Sequence, residues 1–286
     1  MNNELTTLSP HDFPPLLREI PDAPKKLYVR GTLPSTEGKW LAVVGSRAIS
    51  PYGRQAVRHL LQGLRGYPII IVSGLAFGMD AEAHKAALES GLTTVAIPGS
   101  GLDWDVLYPR ANVALAREIV ARGGALVSEF EPTMRAQLYT FPQRNRIMAG
   151  ISHATLVVEA REKSGSLITA RLTAEYNREL LVVPGSIFSA ESRGTHQFLK
   201  LGATPVTESA DILRALSLEV TQVRPVSERT DLSDNEQKVL NLLSQPCPHD
   251  VLIEKLNLPI SETQMLFSAM EIKGLIEEKF GLIHAR

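Results

Sequence analysis

A cluster of basic residues lies beside an aromatic residue in the middle of the chain. Between Phe141 and Arg171, five basic residues stand against two acidic ones, although the whole chain of 286 residues has a net charge of −1. The basic residues are Arg144, Arg146, Arg161, Lys163 and Arg171. Guanidinium and ammonium groups bind phosphates, and an aromatic ring stacks on an unpaired base. The stretch therefore indicates a local site for the backbone of a single-stranded nucleic acid.

A short loop in the same stretch is suited to binding an anion. Residues 162–166 have the sequence Glu-Lys-Ser-Gly-Ser and precede a helical pattern that begins near Leu167. The first backbone amides of a helix have no partner within the helix, and the helix dipole is positive at that end. Ser164, Gly165 and Ser166 therefore offer donors to a phosphate, and Lys163 adds a positive charge.

Two further segments supply candidate phosphate ligands. One is a glycine-containing turn that follows the first apolar strand, and the other begins with the aromatic residue. Their candidate binding residues are Gly45, Ser46, Arg47, Phe141, Arg144, Asn145 and Arg146. Taken singly, an arginine or a phenylalanine of this kind is better explained by an ion pair or by core packing. The combination of several such residues makes a binding site about as well supported as that simpler explanation.

Short apolar segments alternate with helical patterns from Trp40 onward. The predicted strands are Leu41–Val44, Ile69–Val72, Thr94–Ile97, Ala125–Val127, Thr155–Val158 and Leu180–Val183, with a last short strand at Thr204–Val206. The predicted helices are Tyr52–Leu64, Asp80–Glu89, Asn112–Ala121, Arg144–Ala149, Leu167–Asn177 and Ala210–Leu216. This order predicts an α/β fold with a doubly wound, mostly parallel sheet that helices cover on both faces. Such sheets bind ligands at the carboxyl ends of their strands.

The composition and the residue patterns divide the chain into four segments. Residues 1–34 are proline-rich and are interpreted as an extended lead-in with a short edge strand at Leu27–Gly31. Residues 35–216 form the α/β domain, residues 217–230 a linker and residues 231–286 a small second domain. The pattern of that domain is typical of a winged helix, with helices at Asn235–Leu243, His249–Leu256 and Ser261–Lys273 and a hairpin of Leu275–Glu277 and Leu282–His284. Ser261 is the expected N-cap of the third helix.

The charge of the small domain bears on its role. A winged helix usually binds duplex DNA through its third helix. Here residues 231–286 carry five basic and nine acidic residues, and the third helix has Glu262 and Glu271 against Lys273 alone. Phosphate neutralisation supplies most of the non-specific affinity for DNA, so this balance favours a protein-contact or regulatory role over duplex binding.

Several classes of function are disfavoured because the sequence lacks the residues or motifs that they require. A single cysteine, Cys247, leaves neither a disulfide framework nor a thiolate metal cluster, and the sequence has no dinucleotide-binding or P-loop glycine motif. Asp80 and His84 have the spacing of a metal or acid–base pair, but without a third ligand a structural hydrogen bond is favoured. We therefore expect no cofactor, no metal and no catalytic residue. The absence of a long apolar run predicts no membrane span and a cytoplasmic location.

Six motifs together resemble the DNA-processing protein A family of bacteria, also called DprA or Smf. They are VVGSR at 43–47, SGLAFGMDAEAH at 73–84, GSGLDWDVLYP at 99–109, FPQRNRIMAGIS at 141–152, VVEAREKSGSLITA at 157–170 and VPGS at 183–186. They follow the family's order across residues 40–207. The resemblance implies an extended Rossmann-type domain that binds single-stranded DNA, dimerises and helps to load the recombinase RecA on strands taken up in transformation, without catalysis.

The resemblance also assigns residues. It implies that Arg47 holds the strand, and that the FP-x-RNR segment and the loop before SGS contribute further contacts. Those contributors are Phe141, Arg144, Asn145, Arg146, Lys163, Ser164, Gly165 and Ser166. The family's dimer contact corresponds to residues 194–203, in which the candidates are His196, Phe198, Leu199 and Leu201.

An enzymatic alternative comes from a related use of the same sheet. Nucleotide-phosphate hydrolases of the cytokinin-releasing type carry a P-G-G-x-G-T-x-x-E motif at the loop where this chain has EKSGSLITA. That motif supplies a phosphate-binding turn and a catalytic glutamate. Here the second glycine of the pair is missing, and Thr169 is the residue nearest to the place of the glutamate. The sequence therefore favours binding over hydrolysis.

Overall fold

The computed structural model describes residues 5–220, 233–243, 247–256, 258–273, 275–279 and 282–285. Contacts divide the chain into two compact units, residues 1–220 and 221–286. Within the described residues, no helix is long and apolar enough to cross a membrane. Most of the predicted linker, at residues 221–230, lies outside the described residues.

Residues 5–220 form one sheet of nine strands. The strands are β1 Leu5–Leu8, β2 Leu27–Gly31, β3 Lys39–Val44, β4 Ile69–Ser73, β5 Thr93–Ala96, β6 Ala125–Ser128, β7 Ala154–Val157, β8 Glu179–Val182 and β9 Thr204–Pro205. Their order across the sheet is β1-β2-β6-β5-β4-β3-β7-β8-β9. The seven strands β6-β5-β4-β3-β7-β8-β9, neighbours in this order, are all parallel. The predicted doubly wound, mostly parallel sheet is therefore confirmed.

The helices of this unit lie on both faces of the sheet. They are α1 Pro15–Arg18, α2 Pro51–Gln62, α3 Met79–Glu89, α4 Val113–Ala121, α5 Thr140–Ile151, α6 Ser166–Glu175, α7 Arg193–Lys200 and α8 Ser209–Ala215. Strand β3 shows how both faces are buried. Trp40, Ala42 and Val44 pack into one apolar cluster with α1, α5 and α6, whereas Leu41 and Val43 pack into another with α2, α3 and α8. Alternate side chains of a strand point to opposite faces, and this explains the continuous apolar run in the sequence.

Residues 5–31 are part of the sheet and of the core, rather than an extended lead-in with one edge strand. Strand β2 is not an edge strand, because it pairs antiparallel with both β1 and β6. Leu17 of α1 is fully buried, and Ile20 packs so closely on Gly150 of α5 that a Cβ at that glycine would lie 2.9 Å from it. The segment assigned as a lead-in over residues 1–34 therefore belongs to the same compact unit as the sheet. The strand at Leu27–Gly31 was predicted, but its pairing on both sides and the strand β1 were not.

Helix α5 begins earlier than the sequence indicated. The prediction started it at Arg144, but the helix runs from Thr140, with Tyr139 at its N-cap. Thr140 is fully buried, and its hydroxyl donates to the carbonyl of Gly99 at 2.5 Å. This bond fixes the start of the helix against the loop after β5. Phe141 consequently lies in the first helical turn rather than in a loop.

The second unit has the predicted winged-helix elements. The structure contains α9 Asp234–Leu242, α10 His249–Leu256 and α11 Ile260–Ile272, and a small sheet of β10 Cys247–Pro248, β11 Ile276–Lys279 and β12 Leu282–Ala285 in the order β10-β12-β11. The predicted N-cap at Ser261 is wrong, because Pro259 occupies the cap position and Ser261 lies inside the helix. The turn residues Phe280 and Gly281 lie outside the described residues.

Candidate nucleic-acid interface

A cleft of about 640 Å³ lies at the carboxyl ends of β3 and β7. Of the eleven predicted binding residues, ten line it: Gly45, Ser46, Arg47, Phe141, Arg144, Asn145, Lys163, Ser164, Gly165 and Ser166. We call it the first cleft. Strands β3 and β7 are parallel neighbours in which Val44 pairs with Val157, so the loops that follow them emerge side by side. The register of two strands thus brings together segments more than 100 residues apart.

The two loops are tied to each other directly. The hydroxyl of Ser166, at the start of α6, donates to the carbonyl of Gly45 at 2.6 Å. Glu159 is buried after β7 and accepts from the backbone amide of Ser50 at 3.1 Å and from its hydroxyl at 2.5 Å. Gly45 is required by space, since a Cβ there would lie 2.7 Å from Met79. Gly165 has open space on the corresponding side, so a ligand can approach the start of α6.

An aromatic ring and a cation form one wall of the first cleft. The guanidinium of Arg47 lies over the ring of Phe141, with 5.2 Å between its central carbon and the ring centroid. Tyr108 contacts the same ring at 5.9 Å between centroids and is 42% exposed. A cation above an aromatic face is attracted by the ring quadrupole. The pair therefore holds a positive charge and a stacking surface at one place.

Arg144 lines the first cleft from below and is not free to meet a ligand as the sequence suggested. Its side chain is buried, and Nη1 donates to the carbonyl of Ile97 at 2.6 Å and lies 4.0 Å from a carboxylate oxygen of Asp80. A Cβ on Gly74 would overlap the guanidinium, so only glycine fits there. Burial lowers the pKa of Arg144 to about 10, which keeps it charged at neutral pH. Arg144 therefore adds positive potential to the cleft as part of its floor.

Arg146 is the one predicted binding residue that does not line the first cleft. It lies on another side of α5, where it pairs with Glu129 and with Asp22, the latter at 3.4 Å. Its side chain is 15% exposed. Residues two positions apart in an α-helix point about 200° apart around the helix axis. Arg144 and Arg146 therefore cannot share one face of α5. Here the simpler explanation by an ion pair accounts for the arginine.

Asn145 presents an unused amide to the first cleft. The side chain is 7% exposed and forms no hydrogen bond with any other described residue. The amide is not among the fully buried polar groups without a partner, so it is open to the cleft and to a ligand there. Both the carbonyl and the NH₂ of the amide are available for this.

Lys163 and Arg161 differ in how far they are available to a ligand. Lys163 is exposed at the rim of the first cleft and has no ion pair within the described part of the chain. Arg161 also lines the cleft but pairs with Glu191 at 2.5 Å. In the sequence, Arg161 adds to the local charge without an assigned role, and no motif points to Leu138, which is 91% exposed at the same rim.

Comparisons with known proteins identify the family. The family described as DNA recombination-mediator protein A matches residues 4–217, and the DprA winged helix domain matches residues 224–281. The chain belongs to the DNA recombination-mediator protein A family. The resemblance drawn from the six motifs is thereby confirmed, and so is the winged-helix prediction.

Relatives in this family cover most of the chain. Protein Smf of Escherichia coli K12 is 38% identical over 283 residues, which are 96% of this chain and 75% of that protein. The crystal structure of DNA processing protein A from Streptococcus pneumoniae is 39% identical, has a TM-score of 0.67 and covers 74% of this chain and 75% of its own. A structure of DNA processing protein A from Helicobacter pylori, described by its single-stranded DNA binding mode, is 30% identical with a TM-score of 0.65, covering 75% of this chain and 96% of its own.

The segment in which the family resemblance placed a dimer contact is only partly exposed. Phe198 is 7% exposed and packs into the core, and Leu199 packs against the same cluster. His196 Nε2 lies 3.1 Å from the carbonyl of Gly185. Leu201 is 81% exposed. Of the four candidates, Leu201 is therefore the one whose apolar side chain is presented to solvent, whereas Phe198 is used within the chain.

Asp80 and His84 do not form the pair that their spacing suggested. The ring of His84 lies 2.7 Å, through Nδ1, from the hydroxyl of Thr94, and that hydroxyl donates to the carbonyl of Ile71. Asp80 accepts from the amide of Ala76 at 3.3 Å and faces Arg144. Burial raises the pKa of Asp80 and, with the nearby charge of Arg144, lowers that of His84 to about 3. Within the described residues, no three His, Cys, Asp or Glu side chains are placed to hold a metal.

The buried His84 predicts a loss of stability in acid. Between pH 6.5 and pH 3 the unfolded chain binds a proton at this residue that the folded chain does not, so stability falls as pH falls. From pH 7.5 to pH 5 this residue should remove on the order of 2 kcal/mol from the free energy of unfolding. In His84→Gln that part of the pH dependence should disappear, whatever the variant's stability at neutral pH.

Urea unfolding followed by tryptophan fluorescence measures this, because both tryptophans, Trp40 and Trp104, lie in the first unit. His59→Gln, at an exposed position, is the matched control and should keep the pH dependence of the original chain. An unchanged pH dependence in His84→Gln would contradict the assignment of a neutral, buried histidine.

Proposed function

We propose that the first cleft binds single-stranded DNA and that this binding is the function of the first unit. The observation that carries the proposal is the placement of Arg47, Lys163 and the start of α6 around the ring of Phe141 in one cleft. The two cations suit phosphates, and the ring suits a base. This set of groups matches the repeating chemistry of a nucleic-acid strand. At the start of α6, the backbone amides of Ser164, Ser166 and Leu167 already donate within the chain, so the predicted supply of free donors there is reduced.

The geometry favours an unpaired strand over a duplex. Phe141 lies half-buried in the wall of the cleft, so a base reaches its face only after leaving a base pair. The amide of Asn145 lies in the same cleft and can bond to the exposed edge of such a base. The Helicobacter pylori relative, whose structure is described by its binding of single-stranded DNA, supports the same choice of ligand.

Binding without catalysis is part of the proposal. Thr169, the residue nearest to the place of the hydrolase glutamate, lines the first cleft with a hydroxyl, which has no acid–base function near neutral pH. Asp80 also lines the cleft, but its carboxylate faces Arg144 and the amide of Ala76. We therefore expect no free base when the protein is incubated with nucleoside monophosphates. If the original chain releases free base and Asp80→Asn does not, this part of the proposal is wrong and the protein hydrolyses nucleotides.

A role in recombination extends the proposal beyond the cleft. We propose that the protein acts in the cytoplasm as a homodimer that protects incoming strands and helps to load RecA on them during transformation. Membership of the recombination-mediator family supports this, and the exposed side chain of Leu201 is suited to a contact between two copies. Leu201→Asp should reduce the sedimentation coefficient to that of a monomer. If the variant is still a dimer, Leu201 is not part of the interface.

Charge reversal in the first cleft tests its binding role. Arg47→Glu and Lys163→Glu should each weaken binding of oligothymidine at least tenfold at low salt, because a phosphate contact is replaced by repulsion. The loss should be similar for strands of other base sequence, because the backbone is what these residues contact. Neutral variants at the same positions should reduce the slope of log affinity against log salt by about 0.7 per phosphate contact.

Fluorescence polarisation with labelled strands at several salt concentrations measures both effects. Arg65→Glu makes the same change of charge at an exposed position outside the cleft and should bind like the original chain. If Arg65→Glu and the two cleft variants bind alike, the cleft is not the binding site.

A further inference from the structure

A second cleft, of about 410 Å³, adjoins the first. It is lined by Arg54, Phe77, Lys85 and Asn112, and it shares Arg47 and Ala48 with the first cleft. Arg47 therefore stands at the boundary of both. None of the residues proper to the second cleft was assigned a binding role from the sequence.

The walls of the two clefts are fixed to each other. The backbone amide of Met79 donates to the carbonyl of Ser46 at 3.0 Å. Gly78 has a φ of +73°, and a Cβ there would overlap the carbonyls of Ser46 and Arg47. Glycine at this position thus allows the turn that carries Phe77 to pack directly on the turn that carries Arg47. These backbone contacts therefore fix the two turns, and with them Phe77 and Arg47, relative to each other.

Phe77 is held in an exposed position. Its ring is 45% exposed, and the turn before it is anchored by Asn112, whose side-chain amide donates to the carbonyls of Leu75 at 2.8 Å and Ala76 at 3.2 Å. An exposed aromatic residue on a rigid turn offers a flat apolar surface at little entropic cost. Such a surface is suited to stacking with a base.

The charge of the second cleft is positive on balance. Lys85 is exposed and has no ion pair with any described residue. Arg54 is 56% exposed and lies 3.9 Å from Glu82, which is itself buried and held by a hydrogen-bonded ion pair with Arg58. Arg58 thus neutralises the carboxylate in the wall of the cleft. Lys85 and Arg54 remain available for phosphates.

We propose that a bound single strand continues from the first cleft across Arg47 into the second, where a base stacks on Phe77 and the backbone contacts Lys85 and Arg54. The inference rests on the proposed function of the first cleft and extends it. It predicts a longer binding site with two aromatic contacts, Phe141 and Phe77, and with Arg47 between them. A polyanion with a repeating base and phosphate is the ligand class that both clefts can hold in common.

A series of strand lengths tests the extension. Oligothymidines from about 4 to about 16 nucleotides cover the range of site sizes known for single-strand binding domains. Phe77→Leu should leave affinity for the shortest strands unchanged and weaken binding of the longer ones about 5- to 100-fold, the effect of one lost stacking contact. Phe77→Tyr keeps a ring and should bind all lengths like the original chain. Lys85→Gln should lower the salt slope by about 0.7 for long strands only.

The outcomes separate this proposal from the previous one. If Arg47→Glu weakens binding at every length while Phe77→Leu and Lys85→Gln change nothing, the first cleft binds DNA and the extension is wrong. A loss in Phe77→Leu that is equal at all lengths would also overturn the extension, because the second cleft would not lie beyond the first. If Arg47→Glu has no effect at any length, the proposed function itself fails.

Discussion

The buried guanidinium of Arg144 holds the site together. Through Ile97 it is bonded to the end of β5, through Asp80 it faces the start of α3, and the missing side chain of Gly74 makes room for it at the end of β4. A charge taken out of water is tolerated only where partners surround it, and removing one partner from a buried pair is strongly destabilising. The interaction therefore fixes α5 against the ends of β4 and β5 and the start of α3, and α5 carries Phe141 and Asn145.

The four cations to which the sequence assigns a binding role separate into two kinds. Arg144 and Arg146 are enclosed by partners within the chain, whereas Arg47 and Lys163 face the first cleft. The enclosed pair sets the shape and the potential of the site, and the facing pair is positioned for a ligand. Negative charge over the rest of the surface balances this local concentration, so the net charge of −1 does not oppose a site for a polyanion.

Periodicity was enough to predict the sheet, because β3 to β8 are buried on both faces and show as apolar runs. It did not predict β1, and it predicted β2 but placed it at the edge of the sheet, because both strands are short, antiparallel and separated by a proline-rich segment. The loops of the site were predictable because glycines and serines follow strands that end at one edge of the sheet. The burial of Arg144 was not, because it depends on the space left by Gly74, about 70 residues earlier, and sequence spacing contains no such information. The second cleft was missed for a similar reason, since Phe77 and Lys85 are far from the basic stretch.

In the proposed complex, a strand lies in the first cleft with its phosphates toward Arg47 and Lys163. A crystal structure of the protein with an oligothymidine tests this most directly. Phosphates are expected within hydrogen-bonding distance of Arg47 and Lys163, with a base against Phe141. A strand bound elsewhere, with this cleft empty and its side chains unchanged, would contradict it.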